Sequence, residues 1–380
     1  MIYADNAATT RISDGAFEEM LPFLQEQYGN ASSQYSLGAK AKREVEQARR
    51  RISAVIDSNP SEIFFTSCGS EANNWVLQGV ADLYSHAPIH IITSAIEHPA
   101  VLNTCHALEK RGVEITYLPI GTDGRIKAAD LEAALKPHTK LVSIMLANNE
   151  IGTTQPIEEI GRLLRGKGVL FHTDAVQAAG HIPIDVSTLG VDFLSISEHK
   201  FHGAKGTGVL YKRTGVLLPP LIFGGEQEQS LRAGTENVAG IVAAGRALTE
   251  SQEIMNHEAE RLKAMIQETV SGIKSIIPSV RVNGETKFRL PGTINLGFDG
   301  VSGESLMHLL DLKGIAVSTS SACTSGNGAP SHVLLALGQT ESQARSAIRI
   351  SYGRYNAHED VKQIVKAICD SHKKILENQH

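Results

Sequence analysis

The chain has 380 residues, of which 42% are hydrophobic and 20% are charged, so it can bury a large core and is not predominantly disordered. At about 150 residues per domain, this length predicts two or three domains. The net charge of −5 gives no basic footprint for nucleic acid, and no apolar run approaches the roughly 20 residues of a membrane span, so direct contact with nucleic acid or membrane is not expected.

The chain order predicts a parallel α/β sheet. A charged helix over residues 37–56 comes first, and from residue 61 onward short β-branched runs alternate with amphipathic stretches. The predicted strands are 62–66, 89–93, 113–118, 141–147, 169–173 and 193–197, and the predicted helices between them are 71–85, 100–111, 127–136 and 157–167. A long helix over 238–277 follows, and the shorter elements beyond Pro278 predict a smaller α+β unit. Functional side chains are expected at the carboxyl ends of the parallel strands.

The cysteines and histidines give no disulfide or metal pattern. The four cysteines, Cys68, Cys105, Cys323 and Cys369, are scattered, and no two have the C-x-x-C spacing of a zinc or redox site. A reducing, cytoplasmic compartment is therefore expected. The histidines are not combined with cysteine or carboxylate spacings that complete a metal site, so no metal is predicted.

A lysine in a glycine-rich loop, Lys200, follows the predicted strand 193–197. The loop lacks both the Walker spacing and the dinucleotide fingerprint. A lone lysine would be solvated there, but Asp174 follows the preceding predicted strand. A lysine and an acid at neighbouring strand ends can hold opposite ends of an aromatic heterocycle. Pyridoxal phosphate needs both, the lysine for a Schiff base and the acid for its pyridinium nitrogen.

A third segment, residues 65–73, turns from a predicted strand through small residues into a helix. Backbone N–H groups and the Ser70 hydroxyl at the start of that helix would form an anion site suited to a phosphate group. The alternative is a simple capped helix in which Ser70 is the N-cap residue.

Several motifs in chain order extend this interpretation. They are Tyr3–Thr10, Tyr28–Ser33, Glu97–His98, Asn148–Gly152 and Ser320–Ser325. With them the chain resembles the class V, or aminotransferase-V, group of fold-type I pyridoxal-phosphate enzymes, and within it the cysteine desulfurases of the nitrogen-fixation and iron–sulfur-cluster type. The resemblance runs over nearly the whole chain. It implies an α/β fold with a large cofactor domain over residues 14–255 and a smaller α+β domain formed by residues 1–13 and 256–380.

The resemblance also implies roles for individual residues. Around the cofactor it implies Lys200 as the Schiff-base lysine, Asp174 as the partner of the pyridinium nitrogen, and His98 as the stacking and proton-transfer group. It places Asn149 and Gln177 beside the phenolic oxygen. The implied phosphate ligands are Gly69, Ser70, Ser197 and His199. Thr235 resembles a phosphate ligand donated by a second subunit, which implies a homodimer. Asn149 and Arg349 are implied to bind the substrate, with the Arg349 guanidinium holding its carboxylate.

Cys323 decides the expected activity. It lies in residues 320–330, a run of small, polar and turn-forming residues that is poorly suited to a packed core. An unperturbed thiol, with a pKa of about 8.5, supplies some thiolate at neutral pH. The resemblance implies that L-cysteine becomes L-alanine, that Cys323 takes the sulfur as a persulfide, and that an acceptor protein such as an iron–sulfur scaffold receives it.

Other functions stay open at this point. The same fold would suit a selenocysteine lyase, an aminotransferase of the same family, or a non-catalytic sulfur carrier. Three positions also depart from the family pattern: Cys68 stands where glycine is common, Glu198 where a small residue is usual, and Ala204 where proline is frequent. A carboxylate at Glu198 is predicted to repel the phosphate unless it points away.

Overall fold

A computed structural model describes residues 1–319 and 329–378. The helices are α1 Asp14–Met20, α2 Pro22–Gln25, α3 Ser36–Val55, α4 Gly69–Leu83, α5 Pro99–Glu109, α6 Ala128–Ala134, α7 Ile157–Leu164, α8 Val186–Leu189, α9 Val238–Ile276, α10 Gly303–Asp311, α11 His332–Ala336, α12 Glu341–Arg345 and α13 His358–Glu377. The strands are β1 Ile2–Tyr3, β2 Ile63–Thr66, β3 His90–Ser94, β4 Glu114–Leu118, β5 Thr139–Ser143, β6 Leu170–Asp174, β7 Phe193–Ser197, β8 Gly208–Lys212, β9 Arg281–Asn283, β10 Thr293–Gly297, β11 Ile315–Ala316, β12 Ser318–Thr319 and β13 Ala347–Ser351.

A seven-stranded sheet forms the centre of the molecule. Its order is β2-β8-β7-β6-β5-β3-β4. Strand β8 is antiparallel to β2 and β7, and the other neighbouring pairs are parallel. The predicted α/β class with a mainly parallel sheet is confirmed. The carboxyl ends of β3, β5, β6 and β7 therefore meet at one edge, where ligand sites form in such sheets.

Both faces of this sheet are buried. Successive side chains of a strand point to opposite faces, so one strand contributes to the core on each side. In β7, Phe193 packs on one face in a cluster with Trp75 of α4. Leu194 and Ile196 pack on the other face with residues of α3 and α9. The sheet is therefore fixed from both sides, and the residues at its carboxyl edge project from a rigid base.

The elements after α9 form a second sheet. It is antiparallel in the order β12-β13-β10-β9, and its core contains Leu262, Ile294 and Ile348. Strand β1 pairs with β11, so the amino-terminal residues lie with these later elements. Helix α9 passes through residue 255 without a break and contributes to both cores. The division into residues 14–255 and the remainder stays a prediction.

Strand β5 is shorter than the sequence pattern predicts, since it ends at Ser143 rather than at residue 147. The next four residues leave the ladder with β3, although the Ile144 and Leu146 amides still donate to β6 carbonyls. Helices α1 and α2 were not predicted. No helix within residues 1–319 and 329–378 is long and apolar enough to cross a bilayer.

A buried ion pair fixes the segment between β8 and α9. The Glu228 carboxylate accepts from Arg49 of α3, at 2.9 Å from Nη1 and 2.8 Å from Nη2. It also accepts from the Phe65 amide of β2 at 2.8 Å. Glu228, Gln229 and Ser230 all have positive φ angles, of 45°, 59° and 65°. Such conformations cost roughly 1–3 kcal/mol each for residues other than glycine, so this turn persists because the ion pair holds it.

Candidate active site

A cavity of about 280 Å³ lies at the carboxyl edge of the central sheet. Every predicted cofactor- or substrate-binding residue except Thr235 lines it: Gly69, Ser70, His98, Asn149, Asp174, Gln177, Ser197, His199, Lys200 and Arg349. Thr235 is exposed and is not among the lining residues of its own chain's cavity. Cys323 lies outside the described residues. A larger groove of about 770 Å³ lies at the opposite edge of the sheet and contains none of the predicted residues.

Lys200 enters the cavity from the short turn that follows β7. Its Nζ donates to the carbonyl of Ala7 at 2.8 Å and to that of Ala8 at 2.7 Å. The Gln177 side chain donates to the same Ala7 carbonyl at 2.9 Å. Toward Lys200 the motif at residues 3–10 therefore acts through the backbone carbonyls of Ala7 and Ala8, a contact that the side chains of these residues could not indicate.

Asp174 ends β6, the neighbour of β7, and only 5% of it is exposed. Its Oδ2 accepts from Asn73 Nδ2 at 2.6 Å, and its Oδ1 accepts from the Val176 amide at 2.9 Å. Donors on both oxygens fix the carboxylate in one orientation. Sequence reasoning missed Asn73. The available signal was a polar residue on the buried face of α4, four positions after Gly69.

His98 is the N-cap residue of α5, and its Nδ1 accepts from the Ala100 amide at 3.1 Å. We therefore assign the ring proton to Nε2. Burial lowers the pKa of His98, Asp174 opposes this shift, and Lys200 adds to it. Burial therefore favours the neutral form of this ring, which lines the cavity.

The start of α4 provides the groups suited to an anion. Cys68 is the N-cap residue and Gly69 and Ser70 are the first helical positions, so the alternative in which Ser70 caps the helix is wrong. A Cβ atom at position 69 would meet Val176 Cγ2 at 2.5 Å and Ser197 Cβ at 3.4 Å. Glycine is therefore required there, and the first-turn amides are brought beside the Ser197 side chain. Amides of a first helical turn together with hydroxyl groups are a suitable set of donors for a phosphate.

His199 lies after Ser197 and lines the same cavity. Its Nδ1 lies 3.1 Å from the Thr9 hydroxyl. Burial lowers the pKa of His199 to about 4, and the nearby Lys200 and Lys205 charges add to the shift. His199 is therefore neutral at pH 7 and can offer a hydrogen bond rather than a charge.

Glu198 does not line the cavity. Its side chain packs against Gly203, where an added Cβ would meet Glu198 Cβ at 2.8 Å. Neither carboxyl oxygen has a hydrogen-bond partner of good geometry among the residues that the structure describes. Burial raises the pKa of Glu198 well above its ordinary value, and the Thr207 hydroxyl only partly opposes this. Glu198 therefore packs beside Gly203 rather than in the cavity, and its burial disfavours the charged form on which the predicted repulsion depended.

Arg349 of β13 is only 3% exposed, so it is a buried arginine rather than a surface one. Its Nη2 pairs with Asp5 Oδ1 at 2.6 Å, and its Nη1 donates to the Asn149 carbonyl at 2.8 Å. Its Nε is buried without a partner in the described ranges. A guanidinium fixed in this way presents a positive charge at one end of the cavity.

With the substrate role that the resemblance implies for Arg349, its replacement by lysine is expected to raise the KM for L-cysteine about 10- to 100-fold, because charge-assisted bonds worth about 1.5–3 kcal/mol are lost. An ammonium cannot reproduce the planar fork of the guanidinium. Steady-state kinetics would measure the change, with the cofactor absorbance spectrum as control. An unchanged KM in a folded, cofactor-bound variant would contradict the assignment.

Residues 1–319 and 329–378 contain no group of three or more His, Cys, Asp or Glu placed to hold a metal ion. The cavity is lined by one lysine amine, Lys200, and one carboxylate, Asp174, together with the anion-binding start of α4.

The profile of the class-V aminotransferases matches residues 2–364. The chain belongs to the class-V aminotransferase family. A cysteine desulfurase IscS of Clostridium botulinum is 46% identical over 369 residues, which are 97% of this chain and 93% of that protein. A cysteine desulfurase IscS of Dictyoglomus turgidum is 47% identical over 360 residues, or 95% of this chain and 91% of that protein.

Solved structures are similar to this class-V chain over nearly its whole length. A NifS-like protein superposes with a TM-score of 0.92 at 41% identity and covers 97% of this chain and 98% of its own. A structure described as SspA in complex with cysteine has a TM-score of 0.82 at 36% identity and covers 94% of this chain and 100% of its own. The predicted family and fold class are confirmed.

Proposed function

We propose that this chain is a pyridoxal-phosphate-dependent cysteine desulfurase. It converts L-cysteine to L-alanine, holds the sulfur as a persulfide on Cys323, and passes it to an acceptor protein for iron–sulfur cluster or thio-cofactor biosynthesis. The relatives with this printed activity match more than nine-tenths of the chain. The proposal rests above all on one juxtaposition: the Lys200 amine, the Asp174 carboxylate and the amino terminus of α4 line one cavity.

The residues present fit pyridoxal phosphate. The α4 amides with the Ser70 and Ser197 hydroxyls would hold its phosphate, Lys200 would bond to its aldehyde carbon, and Asp174 would pair with its ring nitrogen. Asn73 Oδ1 is buried without a partner in the described residues, so this side of the cavity has a polar atom that remains to be satisfied. When bound, the cofactor supplies an electron sink for the carbon that loses a proton.

The chain's own residues then bind the substrate and move its proton. Arg349 holds the carboxylate of L-cysteine, with Asn149 beside it. The Lys200 amine takes the Cα proton as general base and later returns a proton to the product. His98 would lie against the cofactor ring and assist proton transfer through the N–H group at Nε2 of its imidazole.

Sulfur transfer needs only one molecule of L-cysteine and one thiol, and no external oxidant or reductant. The Cys323 thiolate attacks the substrate sulfur, a sulfur–sulfur bond forms, and the bond between the substrate's Cβ and its sulfur breaks. The electron pair of that bond stays with Cβ, which takes up a proton and becomes the methyl group of alanine. The net result is L-cysteine and a Cys323 thiol converted to L-alanine and a Cys323 persulfide.

We also propose an oligomeric state and a cellular location for this chain. The chain forms a homodimer in which Thr235 reaches the cofactor phosphate of the other subunit, in keeping with its exposure and its distance from its own chain's cavity lining. The protein acts in the cytoplasm, since free thiols such as Cys68 need a reducing compartment.

Mass spectrometry after incubation with L-cysteine tests the activity directly. The peptide that contains Cys323 is expected to gain the mass of one sulfur atom, with L-alanine formed in equal amount. Cys323→Ala is expected to bind cofactor and L-cysteine but to form no persulfide. The matched control is Cys369→Ala, which changes a buried thiol of α13.

Two outcomes would contradict the desulfurase proposal. Normal release of alanine and sulfide by Cys323→Ala would show that this thiol is not the acceptor. A rate with L-selenocysteine that far exceeds the rate with L-cysteine would favour the selenocysteine lyase alternative.

A further inference from the structure

The turn that carries Lys200 is held at four successive backbone carbonyl groups. Each of these carbonyls accepts a hydrogen bond from a residue outside the turn. The pairs are His199 with the Thr10 amide at 2.9 Å, Lys200 with the His181 ring at 2.9 Å, Phe201 with the Ser251 hydroxyl at 3.3 Å, and His202 with the Ser13 amide at 2.8 Å. The place of the Lys200 backbone is therefore set by contacts from other parts of the chain.

The turn needs such contacts, because His202 has a φ angle of 70°. This conformation costs roughly 1–3 kcal/mol for a residue other than glycine, and it persists only where the surroundings hold it. The His202 amide donates to the Thr10 hydroxyl at 2.8 Å, and its ring Nδ1 lies 2.9 Å from the Arg11 carbonyl oxygen. A turn in this conformation relaxes when its contacts are lost, and Lys200, two residues earlier, moves with it.

His181 differs from the other contacts, because it belongs to the segment that begins with Asp174. Strand β6 ends at Asp174, and residues 175–181 follow as consecutive backbone turns. In them the Ala178 amide donates to the Ala175 carbonyl at 2.9 Å, and the His181 amide donates to the Ala178 carbonyl at 3.0 Å. Asp174 and His181 are thus the two ends of one compact segment, and its far end is bonded to Lys200.

The contact between His181 and Lys200 is directional and close. A carbonyl oxygen can only accept, so the proton at this contact is on Nε2 of the imidazole. The residue before it, Gly180, has a φ angle of 78°, and an added Cβ there would meet Phe201 Cβ at 2.6 Å. A glycine at position 180 therefore lets this segment approach the Lys200 turn closely enough for the hydrogen bond.

We propose that His181 is a positioning residue, which fixes the backbone of Lys200 relative to Asp174 by donating from Nε2 to the Lys200 carbonyl. This inference rests on the proposed function, in which the Lys200 amine and the Asp174 carboxylate hold opposite ends of the cofactor. Their separation has to match one ring, and a misplacement of about 1 Å costs on the order of 100-fold in rate. His181 does not line the cavity, so it acts through the backbone of Lys200.

Cofactor loading of the full-length chain, after removal of its cofactor, tests this role. His181→Phe keeps a ring and removes the donor, and it is expected to slow formation of the Schiff-base absorbance with pyridoxal phosphate about 10- to 100-fold. Pyridoxamine phosphate has an amine in place of the aldehyde and cannot bond to Lys200. Its Kd is expected to be unchanged, because the variant leaves the phosphate site and Asp174 in place.

Two further variants sharpen this test. His181→Gln keeps an N–H donor and is expected to restore most of the rate. Gly180→Ala introduces a Cβ that meets Phe201, and it is expected to act in the same direction as His181→Phe, which gives a second route should that variant fail to fold.

The matched control is His90→Phe. His90 is also buried, with its ring Nδ1 2.8 Å from the Thr139 hydroxyl, but it lies at the start of β3, away from the carboxyl edge of the sheet. This variant removes a buried imidazole without touching the Lys200 turn. It is expected to leave the rate of Schiff-base formation unchanged.

Two outcomes would overturn the positioning role. One is a wild-type rate of Schiff-base formation in His181→Phe. The other is an equal loss of that rate and of pyridoxamine phosphate affinity, which would indicate general damage to the cavity. A wild-type chain that forms no Schiff base with pyridoxal phosphate overturns the proposed function itself and is seen before any variant is made.

Discussion

The Lys200→Gln variant is expected to lose turnover of L-cysteine by about 10²- to 10⁴-fold, the range that a general base contributes. Glutamine has a similar volume and keeps an N–H donor directed toward the Ala7 and Ala8 carbonyls, so little change in the local packing is expected. It has no basic nitrogen to take the Cα proton and no amine to bond to the cofactor. The loss is therefore chemical rather than structural.

Alanine formation and borohydride reduction would measure this effect together. Reduction of the wild type is expected to fix cofactor mass on the peptide that contains Lys200, and that mass is expected to be absent in the variant. Lys167→Gln is the matched control, since this exposed lysine lies at the opposite edge of the sheet. Turnover near the wild-type rate in Lys200→Gln would mean that another group is the base.

Replacing Glu228 by glutamine is expected to lower the free energy of unfolding by about 3–5 kcal/mol, because the buried Arg49 loses its buried carboxylate partner and keeps only the more exposed Glu46 as a counter-charge. Arg49 and Glu228 have side-chain exposures of only 9% and 4%. The same carboxylate accepts from the Phe65 amide in β2, so a sheet contact also weakens. The strained turn at Gln229 and Ser230 then loses the contact that holds it.

Urea unfolding followed by circular dichroism would show this as a lower midpoint. Glu226→Gln is the control, because Glu226 is an exposed carboxylate of the same segment. A midpoint equal to that of the control would show that the ion pair contributes nothing net. A double variant, Arg49→Met with Glu228→Leu, is expected to recover part of the loss because no charge stays buried.

Much of the site could be predicted from the sequence, because its residues follow strands. Lys200 and Asp174 were predicted because a lysine and an acid follow two neighbouring predicted strands, and the structure places the ends of those strands side by side. The repeated alternation of strands and helices fixed the direction of the parallel strands, and direction decides which edge carries the site. The resemblance supplied the remaining lining residues, and its family is confirmed.

Other features of the site could not be predicted from the sequence, because they depend on contacts between distant parts of the chain. The bond from Lys200 to the Ala7 carbonyl joins positions 193 residues apart and uses no side chain of Ala7. The direction of the Glu198 side chain depends on its packing against Gly203. The roles of individual site residues, and of Thr235 and Cys323 above all, stay predictions.

The amino-terminal segment is made first, but part of it pairs with residues that are made last. Asp5 reaches its partner Arg349 only after β13 has been made, and the bridge from Asp5 to Ser351 lies in the same strand. A ribosome adds about 5–20 residues per second, so Asp5 waits on the order of tens of seconds for Arg349. The central sheet can form during that interval, whereas the end of the cavity at Arg349 cannot. The proposed carboxylate end of the site is therefore completed late in the life of a new chain, after residues 69–200 at the other end have been made.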